Sequence, residues 1–260
     1  MPPRRRFGLI SAATAALAAA GVPGCGWLPR EPVAPMPVRR FASACGDPAT
    51  TLLVLLPGRG MTLGELEREG FVAAVRAQRL AVDLVLVDAH LAYYKKQTVV
   101  QRLHDDVIAR ARAEGYRQVW LAGISLGGLG ALIYADEHPQ DVAGTLLLAP
   151  YLGEPEATRE VAAAGGLLRW RAPVGPLPAT AFDRRLWRIL QARLRPGRTG
   201  DSPVFLAYGL QDRLSPSHAL LAAALPPGHV LTAAGGHDWN PWLGLWQRLL
   251  ASAPLPRCAA

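Results

Sequence analysis

The 260-residue chain predicts an α/β fold: a mostly parallel sheet of about six strands with helices on both faces. Three observations carry that expectation. Short apolar runs alternate with longer stretches of helical periodicity. The runs are bounded by Gly, Pro and polar turns. The first of them is apolar almost throughout rather than alternating in polarity, as a strand covered on both sides requires.

The elements follow in order. Thr51 to Leu56 is stopped by Pro57-Gly58 and is too short for a helix, so it reads as the first strand. Leu63 to Gln78 has the spacing of an amphipathic helix, and Val82 to Val87 is the next strand. Val99 to Glu114 reads as a helix closed at Gly115. Gln118 to Ala122 is a strand, Leu126 to His138 a helix and Ala143 to Leu148 a strand. Val204 to Tyr208 and Val230 to Ala234 are the last strands, with helices at Ser217 to Leu225 and Pro241 to Ala251. The segment 151–200 breaks this rhythm. It has several Pro and Gly residues and one helical stretch, Phe182 to Arg195, and is expected to be a lid or cap insertion.

The first residues do not belong to that fold. Arg4-Arg5-Arg6 precedes a short apolar run from Phe7 to Ala20, the pattern of an export signal over residues 1–24 rather than of a membrane span. Val22-Pro23-Gly24-Cys25 resembles a bacterial lipobox, which would make Cys25 a lipid attachment site and place the protein in the cell envelope, facing the periplasm or the outside. Residues 25–46, with Pro29, Pro32, Pro35 and Pro37, read as a stiff tether. The catalytic unit is expected over 47–260. Removal of the signal lowers the net charge from +8 to about +5. With Cys25 lipidated, Cys45 and Cys258 remain as an even pair in an oxidising compartment. Both fall at the strand-start end of a parallel sheet, so a disulfide between them is expected.

The chemistry is carried by three glycine-rich turns. Ser125 lies between a predicted strand and a predicted helix in Gly123-Ile124-Ser125-Leu126-Gly127, where a sharp turn would lift its hydroxyl toward a helix N-terminus. A serine hydroxyl needs a base. Among the six histidines, His237 follows the last strand in Gly235-Gly236-His237-Asp238-Trp239. His90 also follows a strand, but earlier in the chain; His104 and His138 fall in or at the end of helices, and His218 and His229 lie off the predicted strand tops. The base needs an acid, and Asp212 follows the strand Val204–Tyr208, with Asp238 and Glu154 as less suitable alternatives. Backbone N–H groups of Leu126 and Arg59 are the expected oxyanion donors. No metal-ligand cluster, Walker lysine or dinucleotide fingerprint is visible, so no cofactor is expected.

Together Gly123-Ile124-Ser125-Leu126-Gly127-Gly128, Gly209-Leu210-Gln211-Asp212 and Gly235-Gly236-His237-Asp238-Trp239 make residues 51–252 resemble the α/β-hydrolase superfamily, particularly bacterial serine esterases. Two departures matter: Pro57-Gly58 stands where many relatives have His-Gly, and 151–200 matches no known pattern. The resemblance implies hydrolysis of a carboxylic ester through an acyl-enzyme. Thioester cleavage, peptidase action and acyl transfer use the same triad. A tethered binding protein on an inactive scaffold is the alternative from another class.

The 151–200 segment holds nine arginines against four acids. Phe182, Leu186, Ile189, Leu190 and Leu194 give one apolar face, so residues 182–195 are a candidate contact for anionic lipid; the plainer expectation is a cap helix with solvated arginines. The localised charge and the export signal argue against nucleic acid as a partner.

Overall fold

A computed structural model describes residues 30–178, 181–195 and 202–259. The expected signal peptide and Cys25 lie outside these residues.

Seven strands form one sheet: β1 (Val38–Phe41), β2 (Thr51–Leu56), β3 (Val82–Val87), β4 (Gln118–Ile124), β5 (Gly144–Leu148), β6 (Val204–Gly209) and β7 (Val230–Ala233), in the order β1-β3-β2-β4-β5-β6-β7. All pairings are parallel except β1 with β3. The six expected strands are β2 to β7. β2 shows why its apolar run is continuous. Leu53 and Leu55 enter the core on one face, while Leu52, Val54 and Leu56 enter the core on the other.

The helices are α1 (Leu63–Arg68), α2 (Phe71–Ala77), α3 (Leu91–Lys95), α4 (Val99–Leu103), α5 (Ala109–Ala113), α6 (Leu126–Glu137), α7 (Pro155–Ala163), α8 (Phe182–Leu194), α9 (Ser215–Ala222) and α10 (Trp239–Ser252). α1, α2 and α10 cover one face of the sheet; α4, α5 and α6 cover the other. The helix expected over Leu63–Gln78 is two, because Gly70 takes a left-handed φ of 84°. The one expected over Val99–Glu114 is α4 and α5 joined by a π-turn at His104–Ile108.

The structure differs from expectation at one boundary and within the insertion. From residue 30 the expected tether is packed on the domain. Met36 is buried and its N–H donates to Asp106 at 2.8 Å, and Tyr93 exchanges hydrogen bonds with the backbone of Val33. Two residues on, β1 closes the sheet edge. The folded unit therefore begins well before residue 47. The insertion also holds a second helix, α7. The arginines of α8 fasten it down: Arg184 pairs with Glu160 at 2.7 Å, Arg185 pairs with Glu137 at 3.0 Å, and Arg188 donates to the Pro173 and Gly175 carbonyls. Beneath them Leu186, Trp187 and Leu190 are buried, and the Gln191 amide donates to the Leu167 and Trp170 carbonyls.

Cys45 and Cys258 are joined in a disulfide that closes a loop 213 residues apart in sequence. It lies at the strand-start end of the sheet, where the Cys258 N–H also donates to the Arg79 carbonyl.

Candidate active site

β4 ends at Ile124, and α6 begins at Leu126. Ser125 alone makes the turn, with φ 51° and ψ −112°, a backbone state that costs about 1–3 kcal/mol and persists only where the surroundings impose it. Those surroundings are dense. The Ser125 N–H donates to the Leu148 carbonyl at 3.0 Å, and its own carbonyl accepts from Gly128 and Tyr151. A Cβ on Gly127 would stand 2.3 Å from the Leu56 carbonyl oxygen, so only glycine lets α6 start so close to the end of β2. The turn holds the Ser125 side chain at the sheet's strand-end edge, on the floor of a cavity of about 620 Å³.

The loops after β6 and β7 meet over this turn backbone to backbone. A Cβ on Gly209 would lie 2.3 Å from the Gly235 oxygen. Leu210 donates to Ala233, Gln211 donates to Gly235, and the Gln211 side chain accepts from the Gly235 N–H. That contact brings Asp212 and His237 together from 25 residues apart. The His237 Nδ1 lies 2.7 Å from Asp212 Oδ2, and its Nε2 lies 2.9 Å from Ser125 Oγ. Trp242 packs edge-on against the ring at 5.0 Å.

Asp212 is 2% exposed. Burial alone would raise its pKa. The hydrogen bonds from His237 and from the Leu214 N–H at 2.7 Å outweigh burial and hold the carboxyl below its ordinary range. An ionised carboxylate facing Nδ1 keeps the proton there and leaves Nε2 free to accept from Ser125. Leu126, the first residue of α6, has an N–H without an intrahelical acceptor. Arg59 follows β2 and lines the same cavity.

The two alternative acids are otherwise engaged. Asp238 caps α10, accepting from Asn240 N–H at 3.0 Å, and Glu154 accepts from the Tyr151 hydroxyl at 2.5 Å.

His218, set aside in the sequence as lying off the strand tops, is wholly buried beside this machinery. Its Nε2 is 2.8 Å from the Pro150 carbonyl, and burial pushes its pKa down to about 4. The ring is therefore neutral and donates from Nε2, tying α9 to the segment whose next residue, Tyr151, holds the Ser125 carbonyl. No local sequence signal marks it, since its partner is 68 residues away.

At the opposite end of α6, His104, His138 and Asp141 bring potential ligand atoms within 4.8 Å of one another, a grouping the sequence did not show. The two imidazoles stack at 13°, so their ring nitrogens lie in near-parallel planes rather than converging on one point. The Tyr134 hydroxyl, which donates to Asp141 and lies 3.1 Å from His104 Nδ1, accounts for the arrangement.

Residues 88–253 match the Esterase family model, described as "Putative esterase". No curated protein matches the chain by sequence. Among solved structures, Est1E from Butyrivibrio proteoclasticus superposes with a TM-score of 0.57 at 16% identity, over 82% of this chain and 90% of its own. The S-formylglutathione hydrolase FrmB from Staphylococcus aureus gives 0.54 at 14% identity, over 87% and 98%. The Paleococcus ferrophilus monoacylglycerol lipase gives 0.52 at 17% identity, over 84% and 99%. The chain belongs to the Esterase family and is a serine-esterase-like α/β-hydrolase acting on ester bonds.

Proposed function

We propose that Ser125, His237 and Asp212 are the catalytic triad of this esterase. The observation that carries the assignment is the unbroken chain from Asp212 through His237 to Ser125, with both links under 3 Å. His237 Nε2 takes the Ser125 proton as Oγ bonds to the ester carbonyl carbon. The developing oxyanion is met by the Leu126 N–H at the start of α6 and by the Arg59 N–H from the loop after β2. The imidazolium gives its proton to the leaving alcohol, and the acyl group stays on Oγ. Water, deprotonated by the same nitrogen, then bonds to the acyl carbon; the bond from that carbon to Oγ breaks, the acid leaves, and His237 returns the proton to Ser125 Oγ. The test is a panel of nitrophenyl esters with the parent and Ser125→Ala. Turnover in the parent that falls by at least 10³-fold in the variant is expected; equal rates would remove Ser125 from the mechanism.

Export and membrane attachment belong to the same proposal. Arg4-Arg5-Arg6 with the apolar run behind it, the lipobox-like Val22-Pro23-Gly24-Cys25 and a disulfide that needs an oxidising compartment all support a lipid-anchored envelope protein. Radiolabelled palmitate should enter the parent and not Cys25→Ser; labelling of both would refute attachment at Cys25. Arg184, Arg185 and Arg188 are drawn into bonds with the domain, so the membrane contact is assigned to Cys25 rather than to that helix.

A further inference from the structure

The cavity over Ser125 is one of two that meet at the same place. A second, of about 520 Å³, shares Leu91, Leu126 and Tyr151 with it and runs along α6 past Leu129 and Ile133. The second has an apolar wall from Leu91, Val99, Val100, Leu126, Leu129 and Ile133, and its charged lining is Lys95 and the Arg185–Glu137 ion pair. From Leu126 to Ile133 the helix rises about 10 Å, the extended length of roughly eight methylenes.

The cavity over Ser125 is instead lined by three arginines, Arg59, Arg159 and Arg213, against a single carboxylate, Glu154. Glu154 is bonded to Tyr151, and Arg159 is paired with Glu156. Arg59 and Arg213 are exposed and have no carboxylate partner among the described residues. They come from different loops, after β2 and after β6, and both border the space in front of the Ser125 hydroxyl. Arg213 adjoins Asp212 in the chain, so it stands on the loop whose carboxylate bonds His237, the residue that protonates the leaving oxygen. The acyl chain, which stays on Ser125 after the first step, has the apolar channel available to it.

Taking the esterase assignment of Ser125 as given, we propose that the preferred substrates are esters of an apolar acyl chain of about eight carbons with an anionic leaving group, a phosphate or carboxylate recognised by Arg213 and the Arg59 side chain. Arginine suits either anion, because its guanidinium presents paired donors to two oxygens.

Three substrates sharing one acyl chain test this: 1-octanoylglycerol, its 3-phosphate, and octanoyl glycerate. The parent should show kcat/KM at least about tenfold higher for one or both anions than for the neutral ester at low salt, with the advantage shrinking as salt is added. Whichever anion leads identifies the group. Arg213→Gln should bring the anionic-to-neutral ratio toward one, and Ile133→Trp should narrow the octanoyl-to-acetyl ratio, which otherwise grows by about fourfold per buried methylene. A parent that cleaves the neutral ester with no anionic preference, or whose preference survives Arg213→Gln, overturns this inference and leaves the esterase assignment standing. A parent that cleaves none of the three and no nitrophenyl ester overturns both.

Discussion

Asp212→Asn is the most informative change to the site, because the structure dictates how the new amide must sit. The carboxylate has two separate duties: Oδ1 accepts from the Leu214 N–H at 2.7 Å, and Oδ2 faces His237 Nδ1 at 2.7 Å. The Leu214 backbone can only donate, so the asparagine oxygen must take the Oδ1 place. Its NH₂ then faces Nδ1, which must accept. The imidazole proton moves to Nε2, directly opposite Ser125 Oγ, and the base is lost while every hydrogen bond is kept. Stability should therefore stay within about 1 kcal/mol of the parent. With the wrong tautomer, kcat should fall by about 10³–10⁴-fold, equivalent to about 4–5.5 kcal/mol of barrier. Steady-state hydrolysis of nitrophenyl acetate alongside urea denaturation measures both. A variant within tenfold of the parent, equally stable, would show that Asp212 does not set the His237 tautomer.

Other expectations follow from packing and burial. Gly127→Ala places a methyl carbon 2.3 Å from the Leu56 oxygen, so α6 or β2 must shift; about 1–3 kcal/mol of stability and at least 10²-fold of kcat/KM should be lost, and a silent substitution would contradict the close approach. His218 has a folded pKa depressed from 6.5 to about 4. Its unfolded form binds the extra proton first as pH falls, so the stability it confers is complete above pH 6.5 and is lost on the way down to about 4, by about 3 kcal/mol at most. His90, also lowered by burial, adds in the same direction. Chemical denaturation at pH 7 and 4.5 should show a smaller acid loss in His218→Gln than in the parent; parallel losses would refute the assignment. Cys45→Ser removes a clasp around a 213-residue loop and should cost about 2–5 kcal/mol while leaving kcat near parental, since the bridge lies at the far end of the sheet from Ser125.

What could be read from the sequence was whatever local chemistry decides. β2 and β3 were legible to the residue because a strand buried on both faces must be apolar at successive positions. β1 was not: Val38-Arg39-Arg40-Phe41 is an edge strand, and its two arginines lie exposed, pairing with Glu67 and Glu114. The proline-rich composition around it suggested a tether, while the anchor of that segment, Asp106, is 70 residues from Met36. α7, behind Pro155, carries too few apolar residues to announce itself against the loop around it.

The site divides the same way. Ser125, Asp212 and His237 each sit in a turn whose glycines exist for close backbone approach, so the local pattern carries the geometry. The two cavities and His218 depend on residues scattered over the chain, and no window of sequence contains them.

Activation of the Ser125 hydroxyl by His237 is open to a direct test by intact-mass and peptide spectrometry after treatment with a fluorophosphonate. One adduct per chain, located on Ser125 and formed at least 10³-fold more slowly in His237→Ala, is the predicted result. An unlabelled Ser125 in a folded parent, or labelling that is as fast without His237, would contradict the account.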